Sequence, residues 1–176
     1  AGSVFRDIQE REKERKEFEK RWFWELLQNA KDSVLDGQKV DIKIEVKENE
    51  IAFSHTGNAF ELDEILSLII QGSSKTDDDN KTGRFGTGFM TTYLLSKKVR
   101  ITGKLTNNNG YFDFWLNRDA KDIKEFFNLQ TTSNDDFIES IKEVSYINNG
   151  DYKTRFTYNL DEKGVITSKN VLNSIN

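Results

Sequence analysis

The chain has 176 residues, 35% hydrophobic and 32% charged, enough apolar content for the core of one soluble globular domain and too much for a disordered segment. It contains no cysteine, which excludes disulfides, thiolate zinc sites and cysteine nucleophiles; its single histidine, His55, excludes multi-histidine metal centres and a serine-type triad built elsewhere. The net charge of -4 gives no electrostatic reason to expect nucleic acid or an anionic membrane as partner, and without a signal peptide or long apolar run a cytoplasmic protein is expected.

Ala1, Gly2 and Ser3 read as a cloning scar and are set aside from fold reasoning. Residues 4–21 form a charged N-terminal helix: "QEREKERKEFEKR" alternates charge at helical spacing, with Glu12–Lys16 and Glu17–Arg21 as supporting pairs, and reads as solvated. The helical pattern continues into "WFWELLQNAKDSV", where Trp22, Phe23, Leu26, Leu27, Ala30 and Val34 make one apolar face until Gly37 ends it. Alternation of Val40, Ile42, Ile44 and Val46 against Asp41, Lys43 and Glu45 predicts a strand on a one-sided core, followed by a turn and a second strand ending near "FSH". "ELDEILSLIIQ" predicts a helix, "GSSKTDDDNKT" an exposed loop, and "FMTTYLLSK" another helix.

"KVRITGKL" and "YFDFWLN" predict strands around the polar turn "TNNNG", and "YKTRFTYNL" a last strand with Phe156, Tyr158 and Leu160 inward. Between them, residues 121–128 and 135–143 predict two short helices. Helices joined to hairpin-connected strands imply an α+β two-layer sandwich, helices on one face of a mostly antiparallel sheet. The main domain is expected over residues 22–160, with 161–176 opening a following, truncated element.

Three stretches carry polar residues where chemistry could occur. On the first apolar helix, Glu25, Asn29 and Asp32 fall at i, i+4 and i+7, a stripe bordering the packed face. A carboxylate there is suited to take a proton from water, and an amide one turn on can hold a metal ion or a phosphate oxygen; the same spacing also simply stabilises helix surfaces. After the second strand, "SHTGNAF" puts His55 and Gly57 at a strand end, either as a capped turn or as contacts to a base edge. "GRFGTGF" (Gly83, Arg84, Phe85, Gly86, Thr87, Gly88, Phe89) precedes a helix, so its backbone N–H groups could receive phosphates, or it is a structural turn. It matches neither the P-loop nor the dinucleotide fingerprint.

Taken in order, "ELLQNAKDS", "HTGNAF" and "GRFGTGFMTTYLLSKKVRI" resemble the N-box, adenine box and glycine box of the GHKL superfamily of ATPases, whose members include DNA gyrase B, the ninety-kilodalton heat-shock chaperones, histidine kinases and MutL. The likeness spans about residues 22–105, and "YKTRFTY" is similar to the strand that closes the family's pocket with a threonine, here Thr154. The resemblance implies the Bergerat ATP-binding fold, with ATP and Mg2+ as cofactors. It makes Glu25 the general base and Asn29 the magnesium ligand, with Asp32 on the same helix facing the nucleotide. His55 would accept the adenine amino hydrogen bond, Gly57 would let the chain pass close to the base, and Phe60 would complete that box. Gly83, Arg84, Phe85, Gly86, Thr87, Gly88 and Phe89 would cradle the phosphates, and residues 72–82, including Lys75, would form the lid.

Asp77, Asp78 and Asp79 in that stretch are expected to face solvent, since they would repel a triphosphate. His55 stands where the family has aspartate and Ala59 where it has a second glycine, a version similar to a sacsin-like branch. The implied function is a slow ATPase acting as a nucleotide-driven switch of a larger protein, through homodimerisation or intramolecular partner domains, with bacterial antiphage defence among the processes it would fit. The alternative is a non-catalytic nucleotide-sensing interaction module.

Overall fold

The computed structural model describes residues 2–70, 87–107, 110–146 and 150–175. Five strands, β1 (Ile42–Lys47), β2 (Glu50–His55), β3 (Lys98–Lys104), β4 (Tyr111–Asn117) and β5 (Thr154–Asn159), form one sheet in the order β1-β2-β5-β3-β4, every neighbouring pair antiparallel. Side chains alternate along a strand and directly opposed residues share a face, so the register sorts the sheet into two surfaces. Ile44, Phe53, Phe156, Ile101 and Phe114 form the middle row of one surface. Val46, Ile51, Tyr158, Val99 and Leu116 flank it on one side; Ile42, His55, Thr154, Gly103 and Phe112 flank it on the other.

The opposite surface carries Arg155 paired with Glu45, and Arg100 bound to both carboxylate oxygens of Asp113 at 2.8 and 2.6 Å. Burying one Phe side chain contributes roughly 1.5–3 kcal/mol, while a solvent-facing ion pair contributes about 0–1 kcal/mol. The apolar surface therefore dominates the stability of the sheet.

Among the described residues seven helical elements accompany the sheet: α1 (Gly2–Lys13), α2 (Arg15–Phe18), α3 (Arg21–Asp32), α4 (Leu62–Ile70), the 3₁₀ helix η1 (Thr87–Leu94), α5 (Ile123–Glu143) and α6 (Glu162–Leu172). Residues from α1, α3, α4, η1 and α5 join the sheet's apolar rows in one core, which makes the chain an α+β fold. The apolar face expected for α3 is the buried one, with Trp22, Leu26 and Ala30 fully covered.

Three elements differ from the sequence-based expectation. The charged N-terminal helix is split after Lys13, and it is not wholly solvated: Gly2 and Ser3 form its first turn, Val4 and Ile8 are buried, and Phe5 packs 5.6 Å from Phe126 of α5. The segment after the glycines is 3₁₀, not α. Its Thr91 and Thr92 hydroxyls donate to the carbonyls three residues back, Gly88 and Phe89, both at 2.8 Å, which favours the tighter winding.

The two short helices expected over 121–128 and 135–143 are one helix of 21 residues. The polar run between them does not interrupt it, because Thr131 and Thr132 donate to carbonyls one turn back at 3.1 and 3.0 Å. Asp122 starts the helix by accepting from the Glu125 N–H at 2.8 Å. Ser133 and Ser140 of α5 lie along β4 and accept from the backbone N–H groups of Asn117 and Asp113, each at 3.2 Å.

Arg118, fully buried at the end of β4, caps the C-terminus of α4 by donating to the Leu68 and Ile69 carbonyls at 2.8 and 2.9 Å, with its guanidinium 5.2 Å from the Phe126 ring centroid.

Candidate functional site

The site is organised by α3, whose two ends each meet a glycine of a different turn. At the first end, a Cβ placed on Gly88 would stand 2.1 Å from Glu25 Oε2 and 2.4 Å from its carboxyl carbon. The carboxylate of the expected N-box thus rests on the bare backbone of the expected glycine box, although 63 residues separate them in sequence. Glu25 is half-buried, and its neighbours Trp24 and Gln28 are exposed.

At the other end, about 12 Å further along the helix axis, a Cβ on Gly57 would stand 1.6 Å from Ser33 Oγ, 2.8 Å from Ser33 Cβ and 2.9 Å from His55 Nδ1. Hydrogen bonds fix this second contact. The Asn58 N–H donates to the Ser33 carbonyl at 3.1 Å, and Ser33 Oγ donates to the Ala30 carbonyl at 2.6 Å. The Gly57 N–H donates to His55 Nδ1 at 3.1 Å. A neutral His55 therefore carries its proton on Nε2.

Asn29 sits between these two ends, buried, and its Nδ2 finds no hydrogen-bond partner among the described residues. Thr154, the cross-strand partner of His55, is fully buried and its Oγ1 is likewise unpartnered. A buried polar atom without a partner costs roughly 1–3 kcal/mol, so such atoms call for an occupant. Trp22 Nε1 on the same helix and Tyr93 Oη of η1 are orphaned as well, so orphaned atoms alone do not mark the site. What marks it is that Asn29 lies between two glycine contacts on the same helix. A cleft of about 580 Å³ opens beside the Ser33 end, lined by Asp32, Ser33, Asn58, Ala59, Lys104 and Lys153, within the size range of small-molecule sites.

The remaining expected residues are distributed as follows. Asp32 is exposed and accepts from Gln28 Nε2 at 2.7 Å, so it leaves the buried stripe that holds Asn29. Phe60 is fully buried, 6.2 Å from the Phe112 ring and bridged by its backbone to Lys104 and Thr106, which places it in the core. Phe89 packs on Phe156 at 5.7 Å and holds η1 to the sheet. Thr87 begins η1. Lys75, Gly83, Arg84, Phe85 and Gly86, together with the expected lid over 72–82, lie outside the described residues. His55 Nδ1, the nitrogen able to accept an adenine amino hydrogen, is engaged by the Gly57 N–H; accepting from a base would require that bond to open.

Ser33 was not singled out as a site residue in the sequence. Its one signal was its place at the end of the polar stripe, next to a turn that contains glycine.

Among the described residues no three carboxylate, imidazole or thiol groups converge as a metal cage, and no helix is long and apolar enough to cross a membrane. A scan against protein-family models matches none. A search of curated proteins also finds no match.

Proposed function

We propose that this chain is a Mg-dependent ATP-binding and ATP-hydrolysing module of the GHKL type, with a Bergerat-type sandwich, acting as a nucleotide-driven switch through homodimerisation or partner domains. The observation that carries the reading is the seat of the Glu25 carboxylate on the Gly88 backbone, with the unpartnered amide of Asn29 one turn further along the same buried line. A general base and a backbone without side chain are then adjacent, an arrangement suited to the attack of water on a phosphoanhydride.

The residues fit a magnesium nucleotide. Magnesium keeps much of its water and is held by phosphate oxygens plus one or two protein groups, so a single amide is a sufficient protein ligand. The Asn29 amide can present either its oxygen or its nitrogen at the orphaned position. When bound, the ion would neutralise charge on the terminal phosphates. Glu25 would accept the proton of the attacking water, Gly88 would admit phosphate oxygens to within reach of the chain, and Thr154 would supply a hydroxyl deep in the site.

Slow turnover is expected, and bacterial antiphage defence is one process that such a switch would serve. A second reading, a nucleotide sensor without catalysis, draws on His55, which is fully buried and whose accepting nitrogen already serves Gly57.

Calorimetry with Mg-ATP and a phosphate-release assay test both readings. Wild-type protein is expected to bind and hydrolyse, and Glu25→Ala to bind while losing at least about 100-fold in turnover, the usual scale for a positioned base. Binding without release by the wild type supports the sensor, and absence of any binding overturns both.

A further inference from the structure

The far end of η1 is held by residues the candidate site does not use. Arg15 of α2 donates through Nη2 to the carbonyl of Leu94, the last residue of η1, and through Nε and Nη2 to Thr167 Oγ1 of α6 at 3.2 and 2.9 Å. Its remaining nitrogen pairs with Glu12 at 2.9 Å. One turn from Thr167, a Cβ on Gly164 would stand 2.2 Å from the Leu95 carbonyl oxygen. That neighbour is main chain and cannot swing aside. Thr167 and Gly164 are buried, and Asn170 of α6 reaches Glu19 beyond α2 at 3.1 Å. A helix late in the chain and a guanidinium near its beginning therefore meet on the carbonyls that end η1.

Those carbonyls matter because η1 is an eight-residue 3₁₀ helix, whereas 3₁₀ runs beyond three or four residues are uncommon and mark hinges or strain. Rewinding such a segment to α would shorten it by about 4 Å, from a rise of about 2.0 to about 1.5 Å per residue. Its first turn holds Gly88 against Glu25. Whatever fixes the Leu94 end therefore fixes how Gly88 meets that carboxylate. A fork of several N–H groups suits this task, since it can satisfy a helix-end carbonyl and a second helix together, which a lysine ammonium does not reproduce.

We propose that Arg15 is a positioning residue for the candidate site, and that α6, seated on the same end of η1, regulates that site by holding or releasing the 3₁₀ helix. With α6 seated, η1 keeps Gly88 on Glu25; with α6 lifted, η1 rewinds and frees the carboxylate. The nucleotide half of this inference rests on the function proposed above; the coupling between α6 and η1 does not. By linkage, a ligand that moves η1 must change the seating of α6 by the same factor.

Hydrogen exchange across residues 87–94 and 162–172, with Mg-ATP titration, tests it on wild type, Arg15→Ala, Arg15→Lys and Gly164→Ala. All three variants are expected to speed exchange in 87–94 and to change Mg-ATP affinity by about fivefold or more, the lower range of site-to-site couplings, and Arg15→Lys should not rescue. Thr167→Val removes the shared acceptor at nearly constant volume and should reproduce the effect if the other variants fail to fold.

The proposal is overturned if folded variants show lower thermal stability but wild-type exchange at residues 87–94 and wild-type affinity, which would make Arg15 a staple only. If the wild type binds no nucleotide, the functional reading fails. The exchange comparison between wild type and variants then still decides the coupling.

Discussion

The two ends of α3 are joined to the rest of the chain by the same device, a glycine whose side-chain space is filled by a residue of the helix, but they differ in what can give way. At Gly88 the intruding atoms are the far end of a long carboxylate side chain, which can rotate aside. At Gly57 they belong to a serine two bonds from the backbone and to a buried imidazole, tied in by hydrogen bonds from Asn58 and Gly57. One end is adjustable and the other is fixed. A site that must bind a ligand in one orientation and then change beside it has use for both: a preorganised end for recognition and a mobile carboxylate for proton transfer.

Substitutions at the two ends should separate these roles. Gly57→Ala is expected to cost about 3 kcal/mol, the upper range for overpacking, read as a lowered midpoint in urea unfolding. An unchanged midpoint would mean the Ser33 end is as compliant as the other. Glu25→Ala should leave the midpoint alone and slow phosphate release at least 100-fold, about 2.7 kcal/mol in the barrier. His55→Ala, at the rigid end, is expected to weaken Mg-ATP binding by more than roughly 1 kcal/mol in calorimetry, the scale of a lost buried hydrogen bond.

Gly88→Ala should cost under about 1 kcal/mol in stability because the carboxylate can swing, yet reduce hydrolysis; equal losses at Gly88 and Gly57 would erase the contrast.

The smallest effect lies away from both ends, on the polar sheet surface. The Arg155 hydrogen bond holds the Glu45 carboxyl below the ordinary glutamate value, partly opposed by desolvation. A lowered folded pKa contributes stability above the ordinary value and loses it as pH falls through the lowered one. Wild type should therefore lose slightly more stability than Glu45→Gln in unfolding titrations below that range, by less than the ~1 kcal/mol of an exposed pair.

Much of this architecture was legible in the residues. Period-two alternation identified β1 and β5, with Ile42, Ile44, Phe156 and Tyr158 inward, because a one-sided core enforces that period; Val40 and Leu160 lie just outside the strands and Val46, expected inward, is exposed. The apolar stripe of α3 was equally plain. Hydroxyl-rich stretches misled: the gap between the two expected helices, residues 129–134, holds Thr131 and Thr132, and Thr91 and Thr92 fit an α-helix on pattern alone, since the carbonyl each hydroxyl bonds is not written in the pattern.

At the candidate site, Glu25 and Asn29 were readable from their i, i+4 spacing beside the packed face, and Gly57 and Gly88 as glycines at a strand end and before a helix. Asp32, at i+7 from Glu25, is exposed at the last turn of α3 and lines the cleft beside Ser33, whereas Asn29 of the same stripe is buried. Phe60 read as part of a binding box, whereas its apolar bulk serves the core. Ser33, Arg15 and Gly164 could not be found this way. Their roles come from contacts with Gly57, Leu94 and Leu95, and Arg15 meets Thr167 across 152 positions of sequence.

The two serines of α5 along β4 have a further consequence. They occupy two of the N–H groups, those of Asp113 and Asn117, that a margin strand would otherwise offer to another polypeptide, which makes strand addition on that side less favourable. At the opposite margin β1 carries Lys43 and Lys47, whose side chains are 53% and 69% exposed and pair with Glu45 at 3.3 Å and Glu50 at 3.1 Å, charged groups of the kind that discourage stray pairing. The two margins thus differ in kind: hydroxyls of α5 cover part of one, while lysines paired with carboxylates line the other, and high salt would weaken only the ionic pairs, leaving the hydroxyl contacts in place.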